Sequence, residues 1–512
     1  MSRMRPSRTV LPAALLALAL ALPAGPGARA AVPDSARPAA VAQAAPARLR
    51  PAAPTDSARR AYRAWLRRLR ARAVADSIAR ADSVARADSL TRADSLAGRG
   101  PGVTAAGGAV TRPDYVAQVK ANFTAENRGY AFTRQVLWFL DPLWGILVGL
   151  FMLFSGLSAG LRNVAHGLGH RGYVRALVYL ALYFAAAFVL TFPLTYFEGF
   201  ALEHQYRLST LGFGPWLGEQ IVGTLIALGF LGVVPLVHLA YRAVRRFPRA
   251  WWLVLAACTL PVILAGAFLE PLVIDPAFNR FTPLQDRTLE ARILAVTGRV
   301  GIPARHVYQA DKSRQTVKYN AYVNGFGPSQ RVVLWDTTLK GMTPDEILVV
   351  VAHEAAHYRL HHMWWGLLMA AGLSFPLLWL SAAFMSRAAR RWGRRWGFTE
   401  LHDLASLPLF VVAITLFSTL AQPVVNAVSC RMEHDADTFA LEVTHDNDAA
   451  ARAFIKLGAQ NRSDPDPSPF IEVVQYTHPP LLDRVRFATG YRPWEQGQPN
   501  RLYHPAAAAA RR

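Results

Sequence analysis

Residues 343–386 read TPDEILVVVAHEAAHYRLHHMWWGLLMAAGLSFPLLWLSAAFMS, a capped helix that ends almost inside a long apolar run. Thr343 suits an N-cap, Pro344 the first helical position, and Glu346 completes a capping box. Two turns on come His353 and His357, four residues apart. Positions i and i+4 share a helix face, so both imidazoles can reach one zinc ion. Glu354 projects beside that face, placed to take a proton from a water activated by the metal. Ala355 and Ala356 keep the helix surface low there. Catalytic zinc takes three protein ligands and leaves one position open. The third is available downstream, where Glu433-His434-Asp435-Ala436-Asp437 opens a second polar region. Glu433 and Asp437 are again i and i+4, so one face offers a ligand and a carboxylate to orient a ligating histidine. His361 and His362, next to Trp364 and Trp365, read as membrane-interface residues, the alternative being additional polar contacts.

Outward from this stretch the chain alternates between apolar spans and arginine-rich loops. It is 52% hydrophobic yet carries a formal charge of +22. That combination fits a polytopic helical membrane protein meeting anionic lipids, and it excludes nucleic acid as the partner because the arginines sit between apolar runs. Six stretches are long enough to span a bilayer, near 136–160, 174–197, 217–240, 250–273, 364–386 and 405–428; spanning takes about 20 residues. Arg242, Arg245, Arg246 and Arg249 crowd one loop, and Arg387, Arg390, Arg391, Arg394 and Arg395 another. The positive-inside rule makes these loops cytoplasmic, which puts residues 274–363 and the C-terminal region outside. Residues 1–30 resemble an export signal, with basic Arg3, Arg5 and Arg8, an apolar core and Ala28-Arg29-Ala30 as a cleavage site, either cut or kept as an anchor. The expectation is a cell or inner membrane protein of a bacterium, with its metal site on the periplasmic side.

The expected layout follows: a signal or anchor over 1–30, a spacer over 31–135, four membrane helices over 136–273, a metallopeptidase domain with two more spans over 274–490, and a tail over 491–512. Within the spacer the hexapeptide Ala75-Asp76-Ser77-Ile78-Ala79-Arg80 repeats, with Asp–Arg pairs at helical spacing. Six residues do not match a 3.6 period, so the repeat reads as a solvated helical or disordered spacer, the alternative being a partner-binding coil. Cys258 and Cys430 make no disulfide framework.

The chain resembles the integral-membrane type I CAAX prenyl proteases. Several motifs beyond the metal helix carry the likeness, all in the family's order: Pro276-Ala277-Phe278-Asn279-Arg280-Phe281-Thr282-Pro283-Leu284; Asn320-Ala321-Tyr322 with Arg331 to Thr337; Asn426, Ser429, Arg431 and Glu433 to Asp437; and Thr477-His478-Pro479-Pro480-Leu481-Leu482-Asp483-Arg484. The resemblance covers about residues 130–490. It implies a mainly α membrane fold with a small β-hairpin or sheet in the metallopeptidase domain, enclosing a wide helical chamber. It also implies one Zn2+ held by His353, His357 and Glu433, with Glu354 as general base. Asp437 becomes the partner of a ligating histidine and His478 the stabiliser of the oxyanion. Arg484 and Asn426 are expected to contact substrate or catalytic groups. A peptide could add as a strand at Asn320, Ala321 and Tyr322, the alternative being a plain structural hairpin. Substrates are expected to be peptides or proteins, lipidated or not, with membrane lipids around the chain. Two departures stand out. The family usually has seven spans against six here, and its eukaryotic members face the cytosol. Envelope quality control is therefore carried beside prenyl-protein processing, and a non-enzymatic scaffold or transporter would need a lost Glu354 or a fourth ligand.

Overall fold

The computed structural model describes residues 113–226, 233–302, 304–325 and 330–504. The export signal, the hexapeptide repeats, the end of the tail and the middle of the third expected span lie outside these residues.

The described chain begins with α1 (Tyr115–Asn122), α2 (Ala125–Phe154), α3 (Leu157–Leu168) and α4 (Gly172–Tyr196), which runs on through a π-helical turn to Gln205. Next come α5 (Phe213–Leu225), α6 (Val233–Arg246) and α7 (Trp251–Leu269), the last extended by a second π-helical turn to Phe278. Among the described residues five helices are long and apolar enough to cross a membrane: Ala125–Phe154, Gly172–Gln205, Trp251–Phe278, His362–Trp396 and Leu404–Thr444. The third expected span is represented by α5 and α6 on either side of residues 227–232. Large apolar side chains such as Phe132, Val189 and Leu420 point outward from these helices. In water such a surface would be a liability, whereas in lipid it is the solvated face.

The folded part starts earlier than the sequence suggested. Residues 113–135 belong to it, because Tyr115 and Val119 of α1 are buried in the core of the polar domain, and Asp114 caps that helix. One helix of two turns with two apolar anchors carries too little periodicity to stand out beside a polar spacer.

The polar domain holds β1 (Phe281–Pro283), α8 (Arg287–Arg299), β2 (Val307–Ala310), β3 (Ala321–Asn324), β4 (Arg331–Trp335), α9 (Asp336–Gly341) and α10 (Pro344–Arg359). The four strands lie in the order β1-β2-β4-β3. β1 and β2 are antiparallel, β2 and β4 parallel, and β4 and β3 antiparallel with Ala321 opposite Leu334. β3 is therefore an edge of the sheet. Helix α10 is the centre of the domain. Ile347, Val350 and Val351 face the sheet through Ala321, Val332 and Leu334. Val349, Ala352, Ala355 and Ala356 face the C-terminal helices.

The remainder is α11 (His362–Trp396), α12 (Leu407–Thr444), α13 (Asn447–Gln460), α14 (Pro469–Gln475) and α15 (Leu481–Gly490). Helix α12 has 38 residues, about 57 Å at 1.5 Å per residue, against about 30 Å of hydrocarbon. Its apolar first part spans the membrane, and its last turns run on into the polar domain. Ala436, Phe439 and Ala440 on those turns share one core with Ala355 and Ala356 of α10. Ion pairs join the two regions: Lys318 bonds Glu203 at 2.7 Å and Tyr130 at 3.0 Å, and Arg462 meets Glu126 at 3.0 Å. Burial works to lower the Lys318 ammonium, but Tyr130 and Glu203 outweigh it and hold its pKa above the ordinary value.

Candidate active site

The capping box starts α10 as its sequence requires: the Glu346 backbone N–H donates to Thr343 Oγ1, and the Thr343 N–H donates to Glu346 Oε2. Glu346 is fully buried and also accepts from Lys456 and Arg452 of α13, which fixes the helix start against the domain. From that fixed start, His353 and His357 fall on the face turned toward α12.

There they meet Glu433. His353 Nε2 lies 3.0 Å from Glu433 Oε2, His357 Nε2 lies 3.6 Å from Glu433 Oε1, and the two imidazole Nε2 atoms are 3.3 Å apart. Tetrahedral zinc with ligand bonds near 2.0–2.1 Å sets neighbouring ligand atoms roughly 3.3 Å apart. The three atoms thus have the separations and chemistry of a two-histidine, one-carboxylate zinc set. Among the described residues this is the group of histidine and acidic side chains suited to a metal. Glu354, half-buried, stands next to His353 on the flank of the same face.

Behind the site, Asp437 Oδ1 lies 2.8 Å from His353 Nδ1. Arg484 grips the same carboxylate with two bonds, Nε donating to Oδ2 at 2.8 Å and Nη2 to Oδ1 at 2.6 Å. Both residues are buried, and the guanidinium stacks on Phe454 with its carbon 4.2 Å from the ring centre. Arg484 therefore neutralises Asp437 while Asp437 faces the ligand. Its side chain is thus held on Asp437, the partner of His353.

His478 reaches the site from the loop before α15. Its Nε2 is 3.2 Å from Glu433 Oε2, and its Nδ1 is 2.9 Å from Thr477 Oγ1. Burial holds this imidazole well below its ordinary pKa, so it is neutral and can present an N–H to the reaction centre. Asn426 is bonded within the protein too. Its Nδ2 donates to the carbonyls of Val473 and Val474 at 3.3 and 2.6 Å, and Gln422 donates to its Oδ1 at 2.9 Å. It ties α12 to the segment that leads to His478.

At the strand, the Ala321 N–H donates to the Asn320 side chain at 2.9 Å, and the Asn320 carbonyl accepts from the Trp335 N–H and Thr338 Oγ1 at 3.1 and 2.8 Å. The Tyr322 hydroxyl donates to Asp275 Oδ2 at 3.0 Å. The side chains of Asn320 and Tyr322 are thus bonded within the domain at this edge of the sheet.

Sequence reasoning favours a membrane-interface position for His362, with an additional polar contact as the alternative. In the fold it is 9% exposed, and its Nδ1 is 3.1 Å from Nδ1 of His357. No periodic signal marks this contact, because it depends on a break in the chain at His361.

Comparison with known proteins agrees with this architecture. Residues 283–492 match peptidase family M48. Residues 111–280 match the CAAX prenyl protease N-terminal domain of five membrane helices. The uncharacterized metalloprotease YhfN of Bacillus subtilis (strain 168) is 29% identical, across 74% of this chain and 88% of its own. The CAAX prenyl protease 1 homolog of Arabidopsis thaliana is 26% identical, across 71% of this chain and 87% of its own. The crystal structure of S. mikatae Ste24p shares the fold with a TM-score of 0.61 at 23% identity, covering 72% of this chain and 88% of that one. With both regions matched in order around the convergent histidines, the chain belongs to the membrane metalloproteases of peptidase family M48 that carry a CAAX prenyl protease N-terminal domain.

Proposed function

We propose that the chain is a zinc-dependent endopeptidase acting on peptides or proteins delivered at the membrane, by the chemistry of the CAAX prenyl proteases. The observation that carries this reading is the meeting of His353, His357 and Glu433 at the separations zinc requires, with Glu354 beside them.

Zinc bound there would polarise the scissile carbonyl and lower the pKa of a water molecule. Glu354 would serve as the base toward water and return the proton to the leaving amine. His478, neutral and pointing at the same place, donates its N–H to the oxygen that becomes negative. Asp437, itself balanced by Arg484, accepts the remaining N–H of His353 and so keeps Nε2 free for the metal. The open edge of β3 offers main-chain groups along which a peptide can lie as an added strand.

Two observations bear on which side the reaction occurs. The metal site lies at the N-terminal end of α11 and the arginines 387–395 at its C-terminal end. A helix of 35 residues is about 52 Å long, so site and arginine cluster stand on opposite faces of the bilayer. By the positive-inside rule the site then faces outward. That orientation favours envelope substrates that need no prenyl group, beside the lipidated C-terminal peptides suggested by the curated relatives.

Hydrolysis of paired farnesylated and unmodified CAAX peptides by purified protein tests the reading. Cleavage should vanish in Glu354→Gln and with a zinc chelator. Cleavage of the farnesylated peptide alone would mark prenyl processing, and equal cleavage of both, or of unfolded proteins, would mark quality control. Full retention of zinc with no cleavage of any substrate would overturn the enzymatic reading.

A further inference from the structure

We infer that His362 is a positioning residue for the metal: it holds His357 in the tautomer and orientation needed for coordination. This rests on the zinc reading of the site and extends it to a residue on a membrane helix.

The argument begins with helix geometry. On an uninterrupted α-helix, residue 362 would lie five positions after 357, about 140° around the axis and about 7.5 Å along it. Side chains so placed do not meet. The structure brings them together by breaking the helix between Arg359 and His362. His361 takes the left-handed conformation with φ 59°, a region that non-glycine residues enter only at a cost. Histidine is among the residue types found there more often than most. The chain turns at that point, α11 starts, and His362 folds back onto His357.

The contact is not that of an interface residue. Trp364 and Trp365, two and three positions on, are 46% and 60% exposed. His362 is 9% exposed, with Nδ1 3.1 Å from Nδ1 of His357 and the two rings edge to face at 5.1 Å. His357 points its other nitrogen, Nε2, at Glu433 and His353. A neutral imidazole that offers the Nε2 lone pair to a metal must carry its proton on Nδ1. That proton lies toward His362 Nδ1, which must then be the acceptor. Only one pairing of tautomers satisfies both rings.

Each metal histidine thus has its own partner. His353 faces a carboxylate, Asp437, brought by α12. His357 faces a neutral imidazole brought by α11. Partners of this kind typically alter metal affinity by about 10–100-fold.

The test compares zinc affinity of full-length parent, His362→Ala and His362→Asn, by competition with a chromophoric chelator. Absorption spectra of the Co2+-loaded forms and melting of the metal-free forms complete it. Asparagine keeps an acceptor oxygen in the place of Nδ1. We expect His362→Ala to bind zinc about 10–100-fold more weakly, with altered Co2+ bands, and His362→Asn to recover most of both. Metal-free melting should be similar in parent and Asn variant, which separates positioning from folding. Parent-like zinc affinity and Co2+ bands in His362→Ala would overturn the inference. So would an Asn variant that folds like the parent yet binds zinc no better than Ala. A parent that binds no zinc would instead overturn the metal reading on which the inference stands.

Discussion

At the scale of single residues, the Arg484–Asp437–His353 line joins stability to chemistry. Asp437 is 1% exposed and Arg484 7%, so neither charge has water to fall back on. Breaking a buried pair by deleting one partner costs about 3–5 kcal/mol, because the survivor is left uncompensated. Arg484→Ala should therefore lower unfolding free energy by roughly that amount in detergent denaturation, and it should weaken zinc binding as Asp437 loses its anchor. If Arg484 instead served only to bind peptide, the variant would raise KM and leave both stability and zinc content unchanged. The sequence named Arg484 and Asp437 but could not pair them, since 47 residues separate them and nothing local points one at the other. His353, His357 and Glu354 were legible for the opposite reason: their spacing alone puts them on one side of one helix. The partner of His362 was not legible, because it is reached only through the turn at His361.

Among the elements, α10 and α12 do the positioning, and small residues let them approach. Ala355, Ala356, Ala436 and Ala440 are all 1% exposed or less, within one core. The sequence suggested that the alanines of HEAAH only clear space beside the metal. In the fold they also belong to the packed contact that sets how far Glu433 stands from the histidines. Ala436→Leu should push these helices apart. Overpacking of this kind costs about 1–3 kcal/mol, and with ligand atoms 3.0–3.6 Å apart a shift of about 1 Å should remove most of the zinc affinity while the protein remains folded. Zinc content per protein after dialysis, read beside melting temperature, checks this; parent-like zinc content would show that the alanine contact does not set the ligand spacing. The long spans and the capping box were readable because each obeys a rule within one stretch of chain. The short strands β1 and β2 were not, because three or four residues carry no period, and their pairing is decided by the sheet they join.

At the scale of the described molecule, the long apolar helices also carry side chains of the candidate metal site. Helix α12 carries Glu433 and Asp437 beyond its apolar first part, and α11 carries His362 at its N-terminal end and the arginines 387–395 near its other end. Orientation is therefore the property on which substrate choice turns, and it can be measured directly. Arg390 is exposed near the arginine-rich end of α11, while the Asp483 side chain is 57% exposed on α15 near the site. Single cysteines at these two positions, Arg390→Cys and Asp483→Cys, leave the metal residues untouched. A membrane-impermeant maleimide applied to intact cells should label Asp483→Cys and spare Arg390→Cys until the membrane is opened. The parent, with Cys258 and Cys430 both partly buried, sets the background. That pattern would place the peptidase on the outer face, away from prenylated proteins of the cytosol, and make envelope proteins its natural substrates. The reverse pattern would mean that the arginine clusters are held outward against the positive-inside rule, and it would return cytosolic lipidated C-termini to first place among the substrates to test.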